Sequence, residues 1–482
     1  MIFNSLNFAL FLPIVFGLYW FGSKGNLKLQ NLLLLISSYF FYACWDWRFM
    51  FLLVFSTILD FFTGKKIYLS ENKRSKLNWL LISIIINLGF LGVFKYYNFF
   101  ISSFADALSV VGLNVNYFSI QVILPVGISF YTFHGLSYVF DIYKNKIIPE
   151  KNFINYSVFV SFFPLLVAGP IERATHLLPQ ITKKRHFDYS KAVDGMRQIL
   201  WGLFKKIVIA DNCATYVNTI FENYTDYSGS SLLLGAFFFT FQIYCDFSGY
   251  SDIALGTARL FGIELLKNFA FPYFSRDIAE FWRRWHISLS SWFKDYLYIP
   301  LGGSKGNMWS RIRNTFIIFL VSGFWHGANW TYICWGLLNA IYILPSIIFK
   351  TNRKNLEIAA KGKLFPNFHE ISAIFITFCL TILAWIFFRS ATVIDALSFI
   401  KSIFNSSSFT PPDFPGFNLS LKLIFIIIVF QIIEWLGREQ NYAIAGIANY
   451  ANRTLRWMVY ISIIFVILIF SGVNQEFIYF QF

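Results

Sequence analysis

Residues 315–335 read TFIIFLVSGFWHGANWTYICW, with no Asp, Glu, Lys or Arg among them. A charge-free stretch of that length suits the ~30 Å hydrocarbon core of a bilayer. Comparable apolar runs recur at about 6–22, 29–45, 47–62, 78–97, 118–140, 153–170, 198–212, 230–258, 312–328, 330–349, 371–388, 421–436 and 457–472. They are helix-length runs, not the ten-residue alternating strands of a β-barrel. The pattern predicts an all-α polytopic integral membrane protein of roughly a dozen transmembrane helices, with re-entrant or interfacial helices besides. The reading is of one transmembrane domain over 1–482, with N-terminal helices in 1–115, a catalytic core in 116–345 and C-terminal helices in 346–482.

Composition excludes the main alternatives. Of 482 residues, 57% are hydrophobic and only 13% charged, about half the charge fraction of a soluble domain. The 61 Phe would leave large apolar patches on a water-facing surface. A soluble enzyme, a DNA-binding protein and a disordered chain are therefore set aside. The net charge of +15 lies in short loops between apolar runs, which fits loop topology and an anionic leaflet better than nucleic acid. The five Cys form no Cys-x-x-Cys, so no metal or thiol-redox pattern is present. Residues 1–22 have no Lys or Arg ahead of the apolar stretch and no small-residue cleavage site after it, so they read as a retained span.

Basic residues orient the spans. Lys24 and Lys28 follow the first run, Arg48 alone the second, and Lys65, Lys66, Lys73, Arg74 and Lys76 the third. This alternation puts the N-terminus outside. The segments 141–151 and 183–185 are both basic, with one apolar run between them that contains Pro164, Gly169 and Pro170. A re-entrant hairpin lining a cavity reconciles them. No internal repeat is visible, which weighs against inverted-repeat transporters.

Ionisable groups inside apolar runs carry the functional signal. The first cluster holds Asp246, Ser248, Tyr250, Asp252 and Arg259. It reads either as a polar cavity wall or as an Asp252–Arg259 bridge that only fixes packing. The second is Phe281-Trp282-Arg283-Arg284-Trp285-His286, too charged for a span and suited to an interfacial or re-entrant helix. Arg283 and Arg284 would suit a phosphate-bearing ligand such as a coenzyme A tail, or would anchor the helix at the interface. His286 is the neutral-range titrating group there. The third is Ser322-Gly323-Phe324-Trp325-His326-Gly327-Ala328-Asn329. Small neighbours let a backbone or a ligand approach His326, and a neutral imidazole in such a site is a good general base for a hydroxyl. His134, in Phe133-His134-Gly135, is a further cavity candidate. Gly-x-Ser-x-Gly, Walker, dinucleotide, His-Glu-x-x-His and Gly-Asp-Ser patterns are all missing.

These motifs resemble the membrane-bound O-acyltransferases, and within them the bacterial branch that serves alginate and peptidoglycan O-acetylation. The likeness runs along nearly the whole chain. It includes Met1-Ile2-Phe3-Asn4-Ser5, Leu124-Pro125-Val126-Gly127-Ile128-Ser129-Phe130, Ala168-Gly169-Pro170-Ile171-Glu172-Arg173, Asp246-Phe247-Ser248-Gly249-Tyr250-Ser251-Asp252 and the two histidine motifs. The resemblance implies a catalytic His326, a second essential His286, and a central tunnel lined by residues such as Trp285, Trp325 and Asn329. It implies acetyl-CoA or another acyl thioester as donor, a cell-envelope polysaccharide as acceptor, and the bacterial cytoplasmic membrane as location. The missing Gly-Asp-Ser block implies a separate extracytoplasmic acetyltransferase or esterase-type partner. The teichoic acid D-alanyl transfer proteins share Trp285-His286-Ile287-Ser288-Leu289, but Tyr298-Ile299-Pro300-Leu301-Gly302-Gly303 suits the acetylation branch better. D-alanyl transfer and a flippase without covalent chemistry stand as the alternatives.

Overall fold

Asn residues start many of the helices. Their side chains accept from the free N–H groups of the first turn at Asn26, Asn72, Asn152, Asn307, Asn329, Asn367 and Asn452. An apolar span gives its own ends no polar side chain, so the caps come from the residue just outside. The computed structural model describes residues 1–113, 116, 118–120, 123–167, 169–450, 452–472 and 475–478. Ala168 and residues 121–122, in the predicted motif and the predicted run 118–140, lie outside these. The regular structure of the described residues is helical, without strands. They divide into two compact units, Met1–Val193 with Thr257–Leu266, and Asp194–Gly256 with Lys267–Phe482.

The first unit holds α1 (Leu6–Gly17), α2 (Leu27–Leu69), α3 (Lys73–Leu91), α4 (Tyr97–Val110), α5 (Ile128–Tyr143), α6 (Phe153–Ser161), α7 (Phe163–Leu166) and α8 (Ala174–Thr182). The predicted runs 29–45 and 47–62 meet at a kink in α2, where Asp46 leaves helical geometry (φ −157°, ψ 111°). Its carboxylate accepts from the Arg48 N–H at 3.0 Å, as a capping residue does, so a new helix starts there. The run 153–170 is broken: α6 ends at Phe162, Pro164 opens α7, and extended chain follows. The Phe163 N–H at the break donates to Ser38 Oγ of α2 at 3.0 Å. Irregular backbone is thus covered by protein, as apolar surroundings demand.

The second unit begins within α9 (Tyr189–Leu203), which runs through a π-helical stretch, Phe204–Ala210, into α10 (Asp211–Glu222). Then come α11 (Gly229–Leu260), α12 (Ile278–Arg284), α13 (Ile287–Phe293), α14 (Met308–His326), α15 (Trp330–Ile348), α16 (Phe368–Arg389), α17 (Val393–Ile403), α18 (Phe417–Gly437), α19 (Ile447–Tyr450) and α20 (Arg453–Phe470). Seven helical stretches among the described residues are long and apolar enough to cross a membrane. They are α2, the continuous Lys73–Val110 stretch, α11, α15, α16, α18 and α20. Residues 6–22 form a shorter apolar helix. Several predicted runs are not single long helices: α2 carries both 29–45 and 47–62, the helix within 118–140 is α5 from Ile128, 153–170 breaks, and Arg311 and Arg313 dilute the start of α14.

Two glycine seams set the packing of the second unit. Gly195 and Gly202 on α9 lie against Gly256 and Gly249 on α11, each pair spaced seven residues apart. A methyl on Gly202 would stand 2.6 Å from the Gly249 carbonyl oxygen, and one on Gly249 2.8 Å from that of Gly202. Backbones come this close only where side chains are missing. Gly323 of α14 and Gly336 of α15 form the second seam, against the carbonyls of Tyr332 and Phe319. Gly256→Leu is expected to cost about 1–3 kcal/mol of stability through overpacking. Gly17→Leu, where a side chain would meet nothing within 4 Å, is expected to be close to neutral. Thermal unfolding of both variants in one detergent checks the contrast.

Candidate active site

The first seam carries α11 past the π-helical turn, and this decides where the charges on both find partners. Lys205 and Lys206 fall on that turn, in the middle of an apolar run. Lys205 Nζ reaches Asp252 at 2.5 Å and Ser248 Oγ at 2.9 Å. Gln198 supports Asp252 at 2.8 Å. Lys206 Nζ bridges Asp246 and Asp211, both at 2.7 Å. The other Asp246 oxygen accepts from the Ile478 N–H at 2.7 Å. Tyr250 is buried, its ring 4.3 Å from that of Phe477. Tyr244 donates to Glu434 of α18 at 2.8 Å. The alternative reading, an Asp252–Arg259 bridge, is not what holds Asp252. Asp252 is held by Lys205, while Arg259 pairs with Glu264 at 3.2 Å within the first unit. A spacing of seven put Asp and Arg on one helix side, but a lysine from the packed neighbour was nearer.

His286 is set in a different way. Asp277 caps α12, which ends at Trp285, and His286 then turns the chain into α13 with φ 42° and ψ 53°. That left-handed conformation is strained for a residue with a side chain. Two backbone bonds to the preceding extended segment hold it: Ala270 N–H to Arg284 O and Ile287 N–H to Asn268 O, both 2.9 Å. The ring is buried, 1% exposed. Its Nδ1 lies 3.0 Å from Asn268 Oδ1, and its ring stands perpendicular to that of Phe247, the centroids 4.6 Å apart. His286 stands outside the seven spanning stretches, and burial pushes its pKa down to about 3, so the ring is neutral.

His326 ends α14, and the chain leaves the helix at Gly327. Its ring packs on Trp325, Trp335 and Phe388 at 4.9, 5.1 and 5.3 Å. The Trp325 ring is also 6.2 Å from His286, so one indole touches both histidines. The small neighbours of His326 are used by protein: Gly323 by the α15 backbone, Gly327 by the Tyr332 ring.

The remaining predicted residues fall as follows. Trp285 is buried between Phe269 and Trp385, at 5.1 and 5.0 Å. Arg284 makes a double contact with Glu280, at 2.7 and 3.1 Å. Arg283 donates to the carbonyls of Asn352 and Asn355 at 2.9 and 2.8 Å. Asn329 caps α15 and donates to Ala391 O at 2.9 Å. His134 belongs to the first unit, where its Nε2 accepts from the Glu172 N–H at 3.1 Å. Sequence reading missed Lys205, Lys206, Glu434 and Asn268. The first three carried the signal already in use, a charge within an apolar run. Asn268 carried none.

Comparison with known proteins reads against this geometry. The profile of the membrane-bound O-acyltransferase family matches residues 40–383, most of the chain and both histidine motifs. The chain belongs to this family. It is similar to a probable alginate O-acetylase of Pseudomonas aeruginosa, 35% identical over 92% of this chain and 82% of the relative. It is similar to a peptidoglycan O-acetyltransferase of Helicobacter pylori, 36% identical over 84% of this chain and 80% of the relative. A teichoic acid D-alanyltransferase of Bacillus subtilis is 29% identical over only 52% of this chain and 65% of the relative. As a multi-pass membrane-bound O-acyltransferase the chain is an enzyme, which removes the flippase alternative.

The buried pairing generates a stability prediction. Asp252→Asn alone leaves the buried Lys205 ammonium without its carboxylate and is expected to cost about 3–5 kcal/mol. The double variant Lys205→Met/Asp252→Leu is expected to recover much of that loss. A double-mutant cycle from chemical unfolding in detergent measures it.

Proposed function

We propose that this O-acyltransferase takes an acetyl group from a cytoplasmic thioester, acetyl-CoA, and passes it across the bacterial cytoplasmic membrane for O-acetylation of a cell-envelope polysaccharide. The observation that carries the reading is the pair of buried histidines, His286 and His326, packed against the single ring of Trp325. A thioester carbonyl beside this pair is open to attack by a hydroxyl. His326 takes the hydroxyl proton as the C–O bond forms, and His286 completes the site. The C–S bond breaks, and the proton ends on the leaving thiolate. The surrounding Trp and Phe rings exclude water, which would otherwise hydrolyse the thioester.

With α2 divided at the Asp46 kink into two crossings, the basic loops after the first and third apolar runs lie inside and the N-terminus outside. Delivery to the glycan then falls to a separate extracytoplasmic acetyltransferase or esterase-type partner. The polar residues Asp246, Ser248, Tyr250 and Asp252 give the route through the protein one of its walls. Relatives that span most of the chain are named for acetylation, and two named for D-alanyl transfer span about half. Acetyl is therefore preferred over D-alanyl.

The test measures ester-linked acetate and ester-linked D-alanine on isolated peptidoglycan, exopolysaccharide and teichoic acid. A deletion strain is complemented with wild type, His326→Ala or His286→Ala, with membrane levels checked by blot. Acetate is expected to vanish in the deletion and return only with wild type. In a purified assay His326→Ala is expected to lose about 10²–10⁴-fold in turnover. Loss of D-alanine with acetate unchanged would replace the acyl group in this reading, and full rescue by both variants would remove the histidines from the chemistry.

A further inference from the structure

Asn268 sits on the extended segment before α12 and is buried, 1% exposed. Its backbone carbonyl accepts from the Ile287 N–H, and its side chain makes four contacts. Oδ1 lies 3.3 Å from the Ser288 N–H, 2.9 Å from Ser288 Oγ and 3.0 Å from His286 Nδ1. Nδ2 donates to Ser251 Oγ of α11 at 3.1 Å. The Ser288 backbone N–H can only donate, so the atom facing it must be the amide oxygen. The same oxygen then faces His286 Nδ1. An acceptor opposite a ring nitrogen requires that nitrogen to carry the proton. In the neutral ring the lone pair is left on Nε2, which is buried and finds no hydrogen-bond partner among the described residues.

We propose that Asn268 is a positioning residue that fixes His286 in the Nδ1–H tautomer, so that His286 serves acyl transfer only as a proton or hydrogen-bond acceptor at Nε2. This rests on the proposed acyl transfer at His286 and divides the labour there. His286 receives an O–H or N–H of the acceptor or donor substrate, and it does not donate to the thioester carbonyl.

The groups facing the ring leave this assignment undisturbed. From α11 comes Phe247, from the 268–270 segment Asn268 and Phe269, and from α14 Trp325, while Ser251 of α11 stands behind Asn268. Of the charged groups on these elements, Asp246 is matched by Lys206, Asp252 by Lys205, and on α12 Arg284 by Glu280, while Arg283 donates to backbone carbonyls. Lys267, next to Asn268, reaches the Gln440 carbonyl at 3.3 Å. His326 is the titratable side chain of α14 beside Trp325.

The experiment compares purified wild type, Asn268→Ala, Asn268→Asp and His286→Ala in detergent. Turnover and donor KM are read from pH 5 to 9, with a melting temperature for each protein. Asn268→Ala is expected to lose about 10–100-fold in kcat with little change in donor KM, the usual cost of losing the group that orients a working histidine. Asn268→Asp keeps the acceptor oxygens but places a carboxylate on Nδ1. It raises the imidazole pKa, so turnover is expected to fall at neutral and acid pH and recover toward pH 9, an acid limb missing from wild type. A merely structural role would lower the melting temperature and leave the pH profile in place. Asn268→Asp as active as wild type at pH 6 would mean that a protonated ring suffices, and would overturn the acceptor role. If His286→Ala is inactive while both Asn268 variants match wild type at every pH, the site stands and the role of Asn268 falls. If His286→Ala keeps full turnover, His286 has no part in the reaction, and this inference fails with it.

Discussion

A charge in an apolar interior has to meet its opposite, and this chain meets the requirement by bringing two backbones together. The seam of Gly195 and Gly202 against Gly249 and Gly256 sets α9 and α11 close enough for Lys205 to reach Asp252 and Lys206 to reach Asp246. Without the seam each of those groups would stand unmatched, at a cost of several kcal/mol per ion. With it, α11 is fixed in rotation, and Phe247 and Ser251 are presented on the side that meets His286 and Asn268. Packing, charge matching and the candidate site are thus one constraint read at three levels.

The legible part of the fold was the part governed by one-dimensional rules. Apolar length gave the helices, and Pro164 with Gly169 marked the broken segment. A change of run at Asp46 marked the kink. The span count was not legible in the same way, because an apolar run need not be one continuous helix, as Ile128 and Phe162 show. The histidines were legible because an imidazole in an uncharged stretch is conspicuous. Lys205, Lys206 and Glu434 were open to the same rule, but they were masked by runs that looked like ordinary spans. Asn268 could not be read at all. It is a common polar residue in an irregular segment, and its importance comes entirely from standing beside a residue eighteen positions later.

The partner of Asp252 shows why spacing alone misleads. Positions seven apart on one helix share a side, but a side chain bonds to whichever opposite charge the tertiary fold brings nearest. Arg283 and Arg284 make a related point. Their guanidinium groups are held by protein carbonyls and by Glu280, so a phosphate drawn to this helix would compete with partners already in place.

The left-handed turn at His286 also bears on what a measure of folding reports. The strain is opposed by two backbone bonds and the Asn268 amide, whereas the helices around it are held by long ladders and interleaved rings. The folded turn carries a strain that an opened turn would not, and these few bonds bear it. A helical signal reports the ladders and not this turn, so it is a poor guide to how much working enzyme a preparation contains.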